Sequence, residues 1–403
     1  MQQKSLSWLA VHATVAAARG KPKPKPASAR SRGKPKLGAL PEWNLADLYE
    51  GPDAPALKAD LQASGRAAEA MHAYAGKLAA LADGGRGGKA LAKAVRDYEA
   101  LSDRMGRVVS FASLLYAADT SDPARQKFFG DIQEKITTIS SKLLFFPLEL
   151  NRLDDKVLEA AMADPELGHY RPWLEDLRKE KPYQLEDKLE QLFHEKAVSG
   201  RGAWNRLFNE TMTALRFDVD GEKLSLEPTL NRLLDQDETK RRKAAEALAR
   251  AFKDNVRLFT LITNTLAKDK EISDRWRGFA DVADSRHLAN RVEREVVDAL
   301  VAAVCEAYPR LSHRYYALKA KWLGKKRLAY WDRNAPLPEE PKQSIGWDDA
   351  QKTVLKAYGD FAPRMAAVAG EFFAKNWIDA PVREGKSPGA FSHPTVPSAH
   401  PYI

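Results

Sequence analysis

The chain has 403 residues, of which 44% are hydrophobic and 30% are charged, a composition that predicts a soluble globular protein with a sizeable core in more than one lobe. No run of 18 apolar residues occurs, which excludes a membrane-spanning helix on the evidence of the sequence. The single cysteine, Cys305, excludes an internal disulfide framework and favours a reducing compartment such as the cytoplasm.

The positive charge of the chain is concentrated near its N-terminus. Nine of the 64 Lys and Arg residues lie in residues 1–41, which contain no Asp or Glu, so the remaining 55 basic residues balance the 55 acidic ones. Residues 21–36 combine a Lys-Pro repeat with further Arg and Lys, a composition that stays extended and cannot build a core. We therefore predict a basic disordered extension over residues 1–40.

Three interpretations of this basic extension remain open. It is a solvated segment without a structural role, a non-specific contact for nucleic acid or another acidic surface, or a targeting segment. Clustered cations favour a phosphate backbone, but no aromatic side chains are interleaved with them for base stacking. The mildly apolar run Leu6–Ala18 is interrupted by His12 and Thr14 and lacks a clear cleavage site.

The body of the chain shows mostly helical periodicity. Four apolar or aromatic residues predict an anchored helical turn at its start: Trp43, Leu45, Leu48 and Tyr49. Amphipathic patterns and caps then predict helices over 56–82, 90–118, from an Asp122 cap and Pro123 onward, 183–198, 229–270, 293–322 and 347–376. The buried stripe of the helix over 183–198 is expected to consist of Leu185, Leu189, Leu192 and Phe193.

The clearest β signal lies in residues 216–226. Apolar and polar residues alternate there on both sides of Asp220-Gly221, a dipeptide that favours a tight hairpin turn. Residues 327–338 predict a second strand that leads into a loop. The sequence shows neither a βαβ alternation nor a repeat period, so the predicted fold class is mainly α, with small β-hairpins.

The histidines do not form a zinc-binding helical pair. No two of the eight are four residues apart, although His194-Glu195 begins like an H-E-x-x-H motif. Val198 stands where the second histidine of that motif would be, so we interpret His194 as a helix-surface residue beside a solvated Glu195. His393 and His400 lie in a Pro-rich loop without candidate ligands nearby in the sequence.

Two further motif matches and the single cysteine lack the surroundings that catalysis or phosphate binding requires. Residues 385–389 match a G-x-S-x-G nucleophile elbow, but Pro388 lacks the N–H that would help to stabilise an oxyanion. Residues 380–387 resemble a P-loop, yet Ala380 replaces its first glycine and prolines remove two donors. Cys305 lies in an apolar helical stretch, which favours a small buried thiol over a nucleophile.

Three segments together resemble the oligoendopeptidase F branch of the M3 zinc metallopeptidases. They are WNLADLY at 43–49, RLAYWDRNAPL at 327–337, and a C-terminal run over 372–403 that contains FFAKNWIDA, GKSPGAF and PYI. The similarity extends from about Pro41 to the last residue, and residues 376–403 are its most specific part.

This resemblance implies a helical fold with a deep channel between two lobes, which admits short peptides and excludes folded proteins. Family members hold zinc with an H-E-x-x-H helix and a downstream glutamate, and the glutamate of the motif activates a metal-bound water. That helix follows a Pro-Tyr-Ile-like segment in the family. Because this chain ends on the large apolar residues Tyr402 and Ile403, we expect a fragment that is incomplete at the C-terminus.

The resemblance also implies one substrate-binding segment, Gly389-Ala390-Phe391. In the family, a Gly-Ala-Phe or Gly-Ala-Tyr segment resembles an edge strand that presents backbone groups to a peptide, which suits broad specificity. The competing interpretation is an ordinary glycine-containing turn with a packed phenylalanine, and both interpretations remain open.

Two functional hypotheses follow. The first is a zinc-dependent oligoendopeptidase acting on short peptides, of which this chain contains a helical lobe over 41–200 and the beginning of the catalytic domain over 201–403. Its metal ligands and catalytic residues would then lie beyond Ile403, so we predict none within the chain and no activity for the chain alone. The second is a non-catalytic helical scaffold whose basic extension contacts nucleic acid or an acidic surface.

Overall fold

A computed structural model describes residues 37–83, 87–338, 344–387 and 389–403. These residues form mainly α-helices, which confirms the predicted fold class. The helices are α1 Pro55–Met71, α2 Leu78–Ala82, α3 Gly87–Ala118, α4 Pro123–Ser141, α5 Phe145–Arg152, α6 Asp155–Ala161, α7 Pro165–Gly168, α8 Arg171–Arg178, α9 Asp187–Ser199, α10 Arg201–Ala214, α11 Leu226–Arg232, α12 Glu238–Asp254, α13 Val256–Arg277, α14 Asp284–Asn290, α15 Arg294–Ala307, α16 Arg314–Trp322, α17 Trp347–Phe361 and α18 Pro363–Ala374.

The larger core is built around the long helix α3. Its apolar side chains recur every three or four residues and are fully buried, among them Leu91, Val95, Leu101, Met105 and Val108. Helices α1, α2, α4, α6 and α7 pack against α3. The predicted anchors Leu48 and Tyr49 join the same core, each only 3% exposed.

The predicted cap of α4 is confirmed. The Asp122 carboxylate accepts a hydrogen bond from the backbone N–H of Ala124 at 2.7 Å, and Pro123 occupies the first helical position, where its missing N–H costs nothing.

The predicted hairpin is also confirmed, as β1 Phe217–Val219 paired antiparallel with β2 Glu222–Leu224. Asp220 and Gly221 have φ values of 55° and 85°, the positive angles that a tight hairpin turn requires. Phe217 is fully buried and Val219 nearly so, and together with Ala247 and Leu248 of α12 they form a second, smaller core.

Four predicted helices are shorter than expected. The helix predicted over 56–82 is interrupted at Gly76, which adopts φ 72° and donates its N–H to Glu149 at 2.7 Å. The helical stretch over 229–270 divides at Asn255, between α12 and α13. A π-helical turn at Pro309–His313 separates α15 from α16, and Ala362, extended before Pro363, separates α17 from α18.

The helix predicted over 183–198 begins later, at Asp187, and its stripe is only partly covered. Leu192 is 53% exposed, and none of the side chains of α9 is fully buried. The late start has a polar cause, because Glu190 accepts the backbone N–H of Leu185 at 2.9 Å and both guanidinium nitrogens of Arg277. These bonds hold residue 185 outside the helix.

The strand predicted over 327–338 is wrong, because the segment folds around the buried side chain of Asp332. Residues Tyr330–Asp332 form a 3-10 turn, and the Asp332 carboxylate accepts hydrogen bonds from Arg241 Nη2 at 2.8 Å, Lys325 Nζ at 2.5 Å and the backbone N–H of Ala329 at 3.0 Å. Burial would raise the pKa of Asp332, but the Arg241 and Lys325 bonds outweigh it and lower that pKa.

The buried position predicted for Cys305 is also wrong, because this thiol is exposed. Apolar periodicity predicts burial only where a second element covers the helix face. On α15 the apolar side chains Val296, Leu300 and Val301 are each more than half exposed, so Cys305 lies on a helix that the other described residues leave largely uncovered.

Within the described residues, no helix is both long enough and apolar enough to cross a membrane. The basic extension predicted over residues 1–40 lies almost entirely outside the described residues, which begin at Leu37.

We expect Asp332→Ala to lower the free energy of unfolding by roughly 3 kcal/mol, because it leaves the buried Arg241 guanidinium without its carboxylate partner. Urea unfolding followed by circular dichroism measures this change. The control is Asp53→Ala, which removes a 99% exposed carboxylate from its pair with Lys58 and should cost about 0.5 kcal/mol or less. Equal losses for the two variants would contradict the central position of Asp332.

Candidate functional site

The C-terminal segment 376–403 lies across the larger core and is joined to the start of the described chain. Asn44 N–H donates to the Asn376 carbonyl at 2.9 Å, and the N–H groups of Asp379 and Ile403 donate to the carbonyls of Ile403 and Trp377, also at 2.9 Å. Trp43 Nε1 reaches the Ile403 carbonyl at 2.8 Å. The backbone bond from Asn44 to Asn376 and the bond from the Trp43 side chain to Ile403 therefore tie this segment to the start of the described chain.

Two aromatic side chains anchor the segment by burial. Trp377 is 7% exposed and Tyr402 is fully buried, and both belong to the core around α3. The Tyr402 hydroxyl donates to the Asn44 carbonyl at 3.0 Å, and Trp377 Nε1 donates to Asp47 at 3.0 Å. The most specific part of the sequence resemblance thus coincides with a densely bonded part of the fold.

The histidines of the Pro-rich loop have structural partners. The ring of His393 lies 3.0 Å from Ser110 Oγ of α3, and its backbone pairs with Tyr402. His400 stacks on Trp377, with ring centroids 3.5 Å apart, and its Nε2 lies 3.0 Å from Asp47 Oδ2. Burial lowers the pKa of His393 to about 4, so this ring is neutral at neutral pH.

The predicted substrate-binding residues Gly389, Ala390 and Phe391 lie in an exposed stretch of backbone outside the helices and strands. Among the residues that the structure describes, their N–H and carbonyl groups find no hydrogen-bond partner, in contrast to His393 two positions later. Gly389 lies at a bend with φ 88°, and the Phe391 ring meets Trp43 edge to face at 5.9 Å. Solvent-facing backbone groups of this kind can pair with another extended chain.

A pocket of about 280 Å³ opens beside this free backbone stretch. Gly389, Ala390 and Phe391 line it together with residues 378–383 and 385–387 of the same C-terminal segment. The rest of the lining includes residues of α10, of the segments that flank the hairpin and of α11: Met212, Thr213, Arg216, Ser225, Leu226 and Glu227. The sequence pattern indicated only the residues of the C-terminal segment, because nothing in the periodicity of α10 or α11 shows which of their residues line a pocket.

The lining residue Gly385 is fixed to the end of α3. The Gly385 carbonyl accepts both the backbone N–H and the hydroxyl of Thr120, at 2.6 and 2.9 Å. Gly385 has φ 82°, and a Cβ at this position would collide with the Asp119 carboxylate and the Ser121 hydroxyl. Only glycine fits at this position, because a side chain would disfavour the positive φ and would have no space.

The cations around the pocket are already paired. The Asp379 carboxylate is 1% exposed and contacts Arg383 Nη2 at 3.1 Å and Lys386 Nζ at 3.2 Å. Lys386 also donates to the carbonyls of Asp379 and Pro381, which explains why the lysine of the P-loop-like letters is not available to a phosphate. Arg216 pairs with Glu384 and donates to three backbone carbonyls.

The remaining candidate motif residues have structural roles. Ser387 donates its backbone N–H to the Ala117 carbonyl at 2.9 Å, and no helix follows it in residues 389–403. His194 is half-buried rather than a surface residue, with Nε2 3.1 Å from Ser140 Oγ, whereas Glu195 is exposed as predicted. Burial lowers the pKa of His194.

A zinc centre does not fit the described side chains. Within the ranges that the structure covers, no three His, Cys, Asp or Glu residues come close enough together to hold a metal ion. The two histidines nearest the pocket segment, His393 and His400, contact a serine hydroxyl and a single carboxylate. Four-coordinate zinc sites draw at least three ligands from the protein, and no such set is assembled here.

Comparisons with known proteins agree with the sequence resemblance. Residues 149–217 match the family model for the N-terminal part of M3 peptidases, described as oligopeptidase F. Oligopeptidase PepF of Bacillus subtilis is 24% identical over 373 residues, which cover 90% of this chain and 53% of the relative. Group B oligopeptidase PepB of Streptococcus agalactiae is 25% identical over 300 residues, which cover 72% of this chain and 49% of the relative.

Solved structures share the fold. Oligoendopeptidase-F from Enterococcus faecium superposes with a TM-score of 0.61 at 17% identity, over 79% of this chain and 66% of that protein. PZ peptidase A, solved with an inhibitor, superposes with a TM-score of 0.60 at 15% identity, over 84% of this chain and 56% of that protein. The chain spans about half the length of the curated relatives that it matches.

We expect acid to loosen the C-terminal segment through His393. An unfolded histidine takes up a proton near pH 6.5, whereas the buried His393 resists protonation down to about pH 4, so stability present above pH 6.5 is lost as the pH falls between these values. The loss is up to roughly 3 kcal/mol. Hydrogen exchange of the Tyr402 amide, corrected for intrinsic rates, measures this loosening where it occurs.

The variant His393→Gln should show a shallower dependence of this exchange on pH. The control is His313→Gln, at an exposed histidine, which should leave the dependence unchanged. An equal pH dependence in wild type and His393→Gln would show that another group controls the segment.

Proposed function

We propose that this chain, which belongs to the oligoendopeptidase F branch of the M3 peptidases, supplies the helical scaffold and a peptide-binding wall of a zinc-dependent oligoendopeptidase. The observation that carries the proposal is the free backbone of Gly389, Ala390 and Phe391 beside an open pocket. A short extended peptide would pair with these backbone groups as an added strand. Short peptides are accordingly the proposed substrate class.

The proposed binding mode follows from the chemistry of the main chain. Hydrogen bonds to backbone groups do not depend on the side chains of the peptide, so an edge of this kind accepts many sequences. The edge is held from both sides, by the Ser387–Ala117 bond before it and by the His393–Tyr402 pairing after it. These contacts support the proposal that the backbone groups of 389–391 are held in place before a peptide binds.

We propose that the helical lobe over 41–200 and the beginning of the catalytic domain over 201–403 form the two walls of a channel. The pocket supports this division, because its lining combines Trp43 and Ala117 from the first region with α10, α11 and the C-terminal segment from the second. A channel between two lobes would admit flexible peptides and exclude folded proteins.

We assign no catalytic residue and no metal ligand to the described residues, because they contain no group of three candidate ligands. Zinc, as the expected cofactor of the complete family member, would supply hydrolytic chemistry that these side chains do not. Because the chain spans about half the length of its curated relatives, we propose hydrolysis for a protein of that full length.

Two further parts of the proposal concern location and the second hypothesis. The exposed thiol of Cys305 is compatible with the reducing environment of the cytoplasm, which we propose as the compartment.

The alternative function, a non-catalytic scaffold that contacts nucleic acid through residues 1–40, depends on residues that lie mostly outside the described part of the chain. It stays a prediction.

We expect the purified 403-residue chain to bind no stoichiometric zinc and to cleave no quenched fluorescent oligopeptide. The physical reason is the lack of an assembled ligand set in the described residues. Metal analysis after dialysis and a fluorescence assay check the two parts, with full-length oligopeptidase PepF assayed in parallel. Turnover by the chain that a chelator abolishes would overturn the assignment.

We expect only every second backbone N–H of a bound extended peptide to contribute to its affinity, because successive N–H groups of an extended chain point in opposite directions. Methylation of a single peptide N–H that pairs with the 389–391 edge should weaken binding about fivefold, because a hydrogen bond contributes about 1 kcal/mol net. Methylation of the next amide, which points away from the edge, serves as the matched control and should have little effect. Fluorescence anisotropy measures the affinities, and uniform effects along the peptide would contradict edge pairing.

A further inference from the structure

The pocket beside the 389–391 edge contains one charged side chain that the structure leaves without a partner. Glu227, in the first turn of α11, lines the pocket and is half-buried. No hydrogen bond or ion pair to its carboxylate occurs among the described residues. Glu227 is therefore an acid at the pocket that can still accept hydrogen bonds from a ligand.

The cations that line the pocket do not pair with Glu227, because each pairs with another carboxylate. Arg383 pairs with Asp379 and with Glu42, Lys386 pairs with Asp379, and Arg216 pairs with Glu384. The three cations are accompanied by four carboxylates, those of Glu42, Asp379, Glu384 and Glu227. This group of side chains therefore carries one excess negative charge. An anionic ligand is therefore disfavoured, and a cation is favoured.

The lining of the pocket is largely apolar. It includes Trp43, Met212, Leu226, Ile378, Val382 and Phe391. A volume of about 280 Å³ admits one long side chain, and it is too small for a larger part of a protein. The pocket thus combines apolar walls with a single free negative charge.

We infer that this pocket binds the side chain of a Lys or Arg residue of the bound peptide, with Glu227 contacting its charged end. This inference rests on the proposed function, since the peptide is the one that lies along Gly389, Ala390 and Phe391. The apolar stem of Lys or Arg matches the walls, and its cationic end matches the carboxylate. A purely apolar side chain would fill the same volume but would bury Glu227 further without a partner.

The test uses the 403-residue chain and a set of fluorescent peptides of one sequence. A central position carries Lys, norleucine or Glu; norleucine keeps the apolar stem of Lys and lacks its ammonium group. All peptides are acetylated at the N-terminus and amidated at the C-terminus, so the only ammonium group offered is that of the side chain. Fluorescence anisotropy at low and high salt measures the affinities.

We expect the Lys peptide to bind about tenfold more tightly than the norleucine peptide at low salt, and the Glu peptide to bind most weakly. The preference should shrink at high salt, because ions screen a partly exposed pair. The variant Glu227→Gln should lower only the affinity for Lys, to the level of norleucine. The variant Glu227→Lys should reverse the order and favour the Glu peptide.

The matched control is Glu222→Gln, which changes an exposed carboxylate five residues away that does not line the pocket. It should keep the full preference for Lys. Unchanged affinity for the norleucine peptide shows that each variant remains folded and retains the edge.

Three outcomes overturn the inference. Equal affinities for Lys and norleucine in the wild-type chain would exclude the cation site and leave the peptide-binding edge standing. A Lys preference that survives Glu227→Gln would assign recognition to another carboxylate. Failure of every peptide to bind would overturn the inference together with the proposed peptide-binding function.

Discussion

The candidate site depends on the attachment of the C-terminal segment to the larger core. Trp377 and Tyr402 bury their rings among residues of α3 and its neighbours, while backbone bonds connect residues 376–403 to residues 41–44. The apolar burial supplies most of the free energy, and the backbone bonds fix the register. Without this attachment, the backbone of 389–391 and the other pocket-lining residues of the C-terminal segment would have no defined position.

Much of the fold could be predicted from the sequence, because local signals agree with the final structure. The periodicity of α3, the Asp122 cap and the Asp220-Gly221 turn each reflect interactions within a few residues. Long-range interactions were not visible in the same way. The sequence alone predicts a strand around Asp332, because its partner Arg241 lies 91 positions away. It also predicts burial of Leu192 and Cys305, because periodicity does not reveal what covers a helix face.

The candidate site was predictable only in part. The resemblance singled out Gly389, Ala390 and Phe391, and the structure leaves their backbone groups exposed and unpaired among the described residues. Glu227 was missed, since an isolated glutamate at the start of a short helix resembles any solvated residue. Its significance arises from the surrounding cations, all of which have other partners, and this depends on contacts between α10, α11 and the C-terminal segment.

The Gly385 contact has a consequence for the thermodynamics of recognition. A loop that had to settle into shape around each arriving ligand would lose conformational entropy at every encounter, and affinity would fall accordingly. Thr120 donates two hydrogen bonds to the Gly385 carbonyl, in a space too narrow for any side chain. The backbone at Gly385 is therefore ordered when the chain folds. A bound peptide therefore contacts a backbone that is already ordered at Gly385, and most of the remaining loss of conformational entropy is that of the peptide itself.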